Sequence, residues 1–375
     1  MDIVATNSNT VAAASFNLGL FDAFIAFIDR PGQTQRTYLT NLKQFAAWLR
    51  YKQIKQPQRA DIVNYRDYLI KDHKAIRLNN ASPQGWEYRK DKHGNYIVIC
   101  CKANTAKQYL QCVKQFFKWT ASESLYPNIA ENVHPPRVDQ ETHRKEPLQV
   151  ADVAKIEKSI LEHGKRKTEA AQEAKKDAKG KTARATEQQK RLYAMYLLAV
   201  NCGLRTIEIS RANIKDLEEI NGTAFLYIQG KGHHEADAKK TLAPGVYEAI
   251  KDYLKTRTDQ RNGNSPLFVS TGNRSHGKRI AAATIGKMLK AALIDAGFNS
   301  ERLTAHSLRH TAGNAAMELT NNNIYVTQKY MRHVNPKTTE IYIHTQDQVI
   351  ESDLAYKLFE YYHTQEPRQK MQSAI

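Results

Sequence analysis

The stretch from Thr304 to Thr345 gathers His306, Arg309, His310, Arg332, His333 and His344 around one tyrosine, Tyr342. That is far more cationic chemistry than a packed core needs, and it points to an anionic ligand. His306 and Arg309 are three apart, so on a helix beginning near Thr304 or Ser307 they project from one face. The helix start adds backbone N–H groups suited to a phosphate. An apolar helical run follows (Ile324, Val326, Tyr330, Met331), and then His333. Asn335-Pro336 breaks this helix, and Thr338 or Thr339 can cap a short new one that carries Tyr342. A tyrosine delivered on its own capped segment can move relative to the anion site.

Three chemistries compete for these residues. His306 and His310 have the i, i+4 spacing of a zinc helix, but Ser307 stands where the glutamate of H-E-x-x-H would be, and no cysteine or carboxylate supplies the remaining ligands. Ordinary packing explains any one of the residues alone and weakens when they cluster. Phosphoryl transfer, with Tyr342 as covalent nucleophile and Arg and His on the phosphate oxygens, uses them all. The string NCGLRTIEISRANIKDL supports it. Arg205 follows a glycine that ends one apolar helix (Leu192 to Val200) and opens the next, and Glu208 lies one turn on, placed to orient the guanidinium.

Together these pieces resemble the catalytic domain of the tyrosine recombinases, the phage integrase family. The matching strings are GLRTIEI with Arg205, QGKGHH with Lys231, HSLRHT with His306 and Arg309, then His333, and TTEIYIHT with Tyr342. Their order and spacing follow the family along the C-terminal half. One departure is Met331-Arg332 before the histidine, where the family often has Leu-Gly. The resemblance implies metal- and ATP-independent breakage and rejoining of DNA strands. Tyr342 would form a 3′-phosphotyrosyl link, Lys231 (with Lys239 and Lys240 as fallbacks) would protonate the leaving 5′ oxygen, and no cofactor is required. It further implies a homo-tetramer on two double-stranded recombination sites, joined by exchange of the C-terminal helix DQVIESDLAYKLFEYY. An accessory DNA-bending or directionality factor is a possible partner. The alternatives are a type IB topoisomerase-like enzyme and a non-catalytic DNA-binding regulator of the same fold. The insertions described below favour a phage or mobile element as host.

The elements that must position these groups can be read outward from them. The chain has 375 residues, a net charge of +18 and a pI near 9.5, a long-range field suited to a polyanion. No apolar run approaches the roughly 20 residues of a membrane span, and the N-terminus lacks a signal pattern, so a cytoplasmic location and no membrane partner are expected. Cys100, Cys101, Cys112 and Cys202 sit in apolar runs without metal-ligand spacing and read as reduced, packed thiols. The fold class is mainly α, and the resemblance implies an N-terminal helical core-binding (SAM-like) domain and a mostly helical catalytic domain with a small β-sheet. The expected bounds are a loose tail over 1–15, the core-binding domain over 16–130, a linker over 131–148, the catalytic domain over 149–363 and a tail over 364–375.

Within the first half, TQRTYLTNLKQFAAW and TAKQYLQCVKQFFKW align so that Tyr38 and Tyr109, Phe45 and Phe116, and Trp48 and Trp119 share one offset. The aromatics read as the core stripe of two similar helices. Arg36, Lys43, Arg50, Lys107, Lys114 and Lys118 fall on or beside the exposed faces and could contact phosphate. WEYRKDKHGNYIVICC reads as a hairpin within 83–101, turning at Lys92-His93-Gly94. Arg137, Arg144 and Lys145 suit a linker that crosses DNA. In the second half, a charged insertion over 164–191 reads as an exposed helix or a disordered segment, a solvated insertion rather than a DNA arm. AFLYIQG and KTLAP read as paired strands that present Lys231 from their loop. Arg274, His276, Lys278 and Arg279 would face the DNA backbone.

Overall fold

The computed structural model describes residues 16–28, 32–137, 148–173, 178–230, 236, 238–259 and 261–333. The chain divides into two compact units, Met1–His143 and Arg144–Ile375. The architecture is mostly helical with small antiparallel sheets. Among the described residues no helix is long and apolar enough to cross a membrane.

In the first unit, α1 (Gly19–Phe27), α2 (Gly32–Tyr51) and α3 (Arg59–Leu69) precede four short strands and α4 (Ala103–Ser122). The internal repeat explains the core. α2 packs on α4, and Phe45, Trp48, Phe116 and Trp119, which occupy equivalent places in the two helices, are all buried. The same offset of 71 residues relates Asn41 to Cys112, whose Sγ accepts a hydrogen bond from the asparagine amide at 3.1 Å. Phe21 and Phe24 of α1 close on Phe116 edge to face, with centroids 4.6 and 5.6 Å away.

The hairpin expected over 83–101 proves to be part of a larger pair of ribbons that begins at His73. These are β1 (His73–Lys74), β2 (Ile76–Leu78), β3 (Trp86–Tyr88) and β4 (Val98–Ile99), with β1 paired to β4 and β2 to β3. The turn itself lies where the glycine suggested. Lys90 bridges to Tyr96, and the Asp91 carboxylate accepts from the N–H groups of His93 and Asn95. The earlier strands escaped notice because only Ile76 is buried in them. Arg50 fastens the ribbons to α2 by donating to Asn80 Oδ1 at 2.8 Å and Gly85 O at 2.9 Å. Gly85 has φ +74°, and a Cβ there would lie 2.5 Å from the Arg50 guanidinium. One cysteine assignment needs correcting: Cys112 and Cys202 are buried and Cys101 half-buried, but Cys100 is exposed, because it ends the short edge strand instead of entering a helix.

The second unit opens with α5 (Val150–Gln172) and α6 (Ala178–Val200), which pack on each other. The segment 164–191 is therefore helical wherever it is described. Its Ala, Lys, Glu and Gln have high helix propensity, and each helix is anchored at its far end by an apolar run. Gly164 lets them approach: a Cβ there would meet the Gln189 side chain at 2.1 Å. After α7 (Thr206–Arg211) and a 3₁₀ turn (Ile214–Asp216) come β5 (Leu217–Ile220), β6 (Thr223–Ile228) and β7 (Ala238–Leu242), an antiparallel sheet in that order. Next are α8 (Pro244–Thr256), α9 (Ala282–Asp295), α10 (Ala305–Leu319) and α11 (Ile324–Met331). Their core holds the buried run Ala194–Val200 of α6 with Ile250, Tyr253, Phe268, Leu289 and Leu308.

Phe116→Ala removes the ring on which α1 and α4 meet and should cost about 3–5 kcal/mol. Trp48, Trp86 and Trp119 are the chain's three tryptophans and all lie in the first unit, so urea unfolding followed by tryptophan fluorescence reads the loss. An unchanged midpoint would remove Phe116 from the core.

Candidate active site

The turn between α6 and α7 is built on Gly203. Its φ of +61° is a conformation that side chains resist, and a Cβ there would lie 2.9 Å from Met331 Sδ. The glycine thus permits both the turn and the close approach of α11. Arg205 caps the start of α7. Its backbone N–H donates to Glu208 Oε2 at 2.8 Å and its Nη1 to Glu208 Oε1 at 3.0 Å. The Arg205 side chain is 34 % exposed, whereas that of Glu208 is 1 % exposed. The orienting role read for the carboxylate matches this pairing.

α10 starts at Thr304, whose N–H donates to Ser307 Oγ at 3.0 Å. His306 is exposed and stacks edge to face on His310 at 4.7 Å. Arg309, one turn on, is buried. Its Nη1 donates to Gly203 O and its Nη2 to Met331 O at 2.5 Å. His306 and Arg309 therefore lie at different depths, yet both line one cleft of about 720 Å³ together with Arg205, Lys287, Lys290 and Thr304. Among the described residues no carboxylate lines it. Among the described residues no group of three His, Cys, Asp or Glu side chains could hold a metal ion.

The end of α11 is held by cations from two other elements. Its last carbonyls have no partner within the helix and attract positive charge. Arg309 of α10 serves Met331 O, and Lys240 of β7 donates to Tyr330 O at 2.9 Å, its ammonium 3.0 Å from the Tyr330 ring centroid. The chain then turns through Arg332 at φ 53° and ψ 48°. For a residue with a side chain this left-handed conformation costs about 1–2 kcal/mol. Arg332 Nη2 donates to Glu208 Oε2 at 2.8 Å, while its Nη1 is buried without a partner among the described residues. His333 follows, buried, with its carbonyl accepting from Gln328 Nε2 at 3.0 Å.

Charge sets the protonation of the site. Burial works against ionisation of Glu208, but Arg332, the Arg205 N–H, and the Arg205 and Arg309 guanidinia outweigh it and hold the carboxyl below its ordinary range. Burial pushes His333 down to about 4, aided by Arg309, Arg205, His310 and His306. Burial likewise brings Lys240 down to about 7, with Arg332 and Arg309 contributing and Cys202 opposing.

Of the residues singled out in the sequence, the structure brings Arg205, Glu208, His306, Arg309 and His333 together. Lys231 and Tyr342 lie outside the described residues, as does the C-terminal helix read from 347–362. The fallback lysines face elsewhere: Lys240 is committed to α11, and Lys239 sits 3.6 Å over the Phe225 ring. Among the basic residues assigned to DNA, Arg36, Lys43, Lys107, Lys118, Arg137, Arg274 and Lys278 are exposed. Lys114 is half-buried and donates to Val133 O at 3.1 Å. Arg279 is exposed as well, and its guanidinium donates to Ser210 O, Ala212 O and Asn213 Oδ1. Sequence reasoning counted Arg332 among the cations around Tyr342 and as a departure from the family pattern, without a partner for it, and gave Lys240 no structural part. The available signal was a long cation where the turn before His333 calls for glycine.

Because His333 titrates near 4 here and at 6.5 when unperturbed, its neutral form stabilises the folded chain fully above pH 6.5, and that contribution is lost as pH falls toward 4. Urea midpoints between pH 7 and 5 should therefore fall more steeply for the parent chain than for His333→Gln. Equal slopes would contradict the buried neutral imidazole.

Residues 172–349 match the family model described as the phage integrase family. The chain is 34 % identical over 160 residues to a tyrosine recombinase XerC of Caldanaerobacter subterraneus subsp. tengcongensis, a match covering 42 % of each chain. It is 30 % identical over 161 residues to a tyrosine recombinase of Synechococcus elongatus, covering 42 % of this chain and 48 % of that one. The chain thus spans under half the length of these curated relatives. Among solved structures it is similar to the XerH site-specific recombinase bound to palindromic difH substrate, with TM-score 0.61 at 17 % identity over 90 % of this chain and 84 % of that one. It is also similar to a lambda integrase dimer bound to a COC′ core site, with TM-score 0.55 at 12 % identity over 86 % of this chain and 95 % of that one. At these identities the two structures speak for the fold. Arg205, Glu208, His306, Arg309 and His333 all lie inside residues 172–349, the segment that matches the phage integrase family and is similar to the tyrosine recombinases.

Proposed function

We propose that the chain is a site-specific DNA recombinase that cleaves and rejoins strands through a 3′-phosphotyrosyl intermediate at Tyr342. The observation that carries this reading is the cleft lined by Arg205, His306 and Arg309, from two separate helices, with no carboxylate among the described residues of its wall. Attack of the Tyr342 oxygen on a phosphodiester places extra negative charge on the non-bridging oxygens and expels the 5′ oxygen of the next deoxyribose. Arg205, Arg309 and His333 meet that charge, each preorganised donor contributing on the order of 3 kcal/mol. Lys231 is the candidate to protonate the leaving oxygen, and His306 to assist the proton at Tyr342. The phosphotyrosine conserves the energy of the broken bond, so the 5′ hydroxyl of another strand can reverse the step without ATP.

Duplex DNA is the proposed partner. The net charge of +18 favours it, and XerH and lambda integrase are each bound to DNA sites in their structures. Assembly as a tetramer on two sites through the segment 347–362, a cytoplasmic location and service to a phage or mobile element complete the proposal.

Suicide DNA substrates drawn from the sequence flanking the gene, resolved on denaturing gels, test the chemistry. The parent chain should form a metal-independent adduct that maps to Tyr342. Tyr342→Phe should keep its DNA affinity and lose the adduct, and a residual adduct would move the nucleophile elsewhere.

Arg309→Lys should lose nearly as much cleavage as Arg309→Ala, about 10²–10³-fold in single-turnover rate, because a point charge cannot hold a two-pronged contact. Near-normal turnover by the lysine variant would contradict that role.

A further inference from the structure

Arg332 is an unfavourable choice on local grounds. It occupies a left-handed conformation that glycine adopts freely, and it leaves Nη1 buried without a partner among the described residues. Backbone outliers of this kind persist when something else over-determines them, and they cluster at functional sites. What the side chain gains here is one contact, Nη2 to Glu208 Oε2 at 2.8 Å across 124 residues of sequence. The other oxygen of the same carboxylate holds Arg205 Nη1 at 3.0 Å. Glu208 is thus a two-sided clamp, with the cleft-lining arginine of α7 on one side and the turn that carries His333 on the other.

We propose that Arg332 is a positioning residue that acts through Glu208 to fix Arg205 and His333 in one geometry for a phosphate. Two consequences follow from the contact. Arg332 shares Oε2 with the Arg205 backbone N–H, so the carboxylate holds only one guanidinium nitrogen of the cleft-lining Arg205. Arg332 also ties the residue immediately before His333 to the first turn of α7. Its own side chain is only 18 % exposed, which separates it from the groups that would touch a substrate. The inference rests on the phosphoryl-transfer reading of Arg205 and His333.

The test compares Arg332→Gly, Arg332→Met and Arg332→Lys in the full chain by melting temperature, affinity for duplex DNA and single-turnover adduct formation. Gly and Met should lower cleavage by about tenfold or more while affinity stays within about twofold, the signature of lost alignment rather than lost binding. Lys, whose ammonium can still reach Glu208, should recover most of the rate. The proposal is overturned if Arg332→Gly cleaves like the parent chain. It is equally overturned if melting temperature, affinity and cleavage fall in step in all three variants, which marks a purely structural residue. A second readout needs no cleavage. On titration with inorganic phosphate, the Arg205 Nε–H and His333 ring signals should shift together in the parent chain and separate in Arg332→Gly. A parent chain that forms no adduct would overturn the functional reading, whereas unchanged joint shifts in Arg332→Gly would overturn this one.

Discussion

A carboxylate that is 1 % exposed has to be matched by positive charge or it will not remain ionised, and Glu208 sets that condition for the whole centre of the second unit. The cations that meet it arrive from different directions: Arg205 from the start of α7, Arg332 from the end of α11, with the field of Arg309 from α10 behind them. Each of these groups also serves a second purpose. Arg205 lines the cleft, Arg332 closes a helix, and Arg309 holds two backbone carbonyls. The placement of a cation-lined cleft is therefore a by-product of satisfying one buried anion and several orphaned carbonyls.

The C-terminus of α11 shows the same economy. An eight-residue helix has little stability of its own, and its last carbonyls need donors. Donors come from β7 and α10 rather than from a glycine motif, so the sheet and two helices are fastened at the point where His333 leaves the helix. Gly203 contributes by absence: only a residue without Cβ lets Met331 settle against the turn that leads to Arg205.

What the sequence disclosed and what it withheld divide along a physical line. Relations within a turn or along a face were legible. Arg205 with Glu208, the start of α10 at Thr304, the β6–β7 pair around the Lys231 loop, and the burial of the repeated aromatics in α2 and α4 all follow from spacing and periodicity. Contacts between elements far apart in the chain were not. Nothing in composition links Arg332 to Glu208, Lys240 to the Tyr330 carbonyl 90 residues away, or Arg279 to the end of α7. Short edge strands such as β1 carry too few buried side chains to show a period, and for the same reason Cys100 looked like a packed thiol.

On the phosphoryl-transfer reading proposed above, the depressed basicity of His333 would couple anion binding to proton binding. Burial and the surrounding arginines and histidines keep a proton off the imidazole, and an anion seated among those arginines opposes the same field. Linkage is reciprocal, so whatever free energy a bound phosphate lends to the proton, the proton lends to the phosphate. Anion capture below neutrality then draws protons from solution, and its apparent enthalpy depends on the ionisation heat of the buffer.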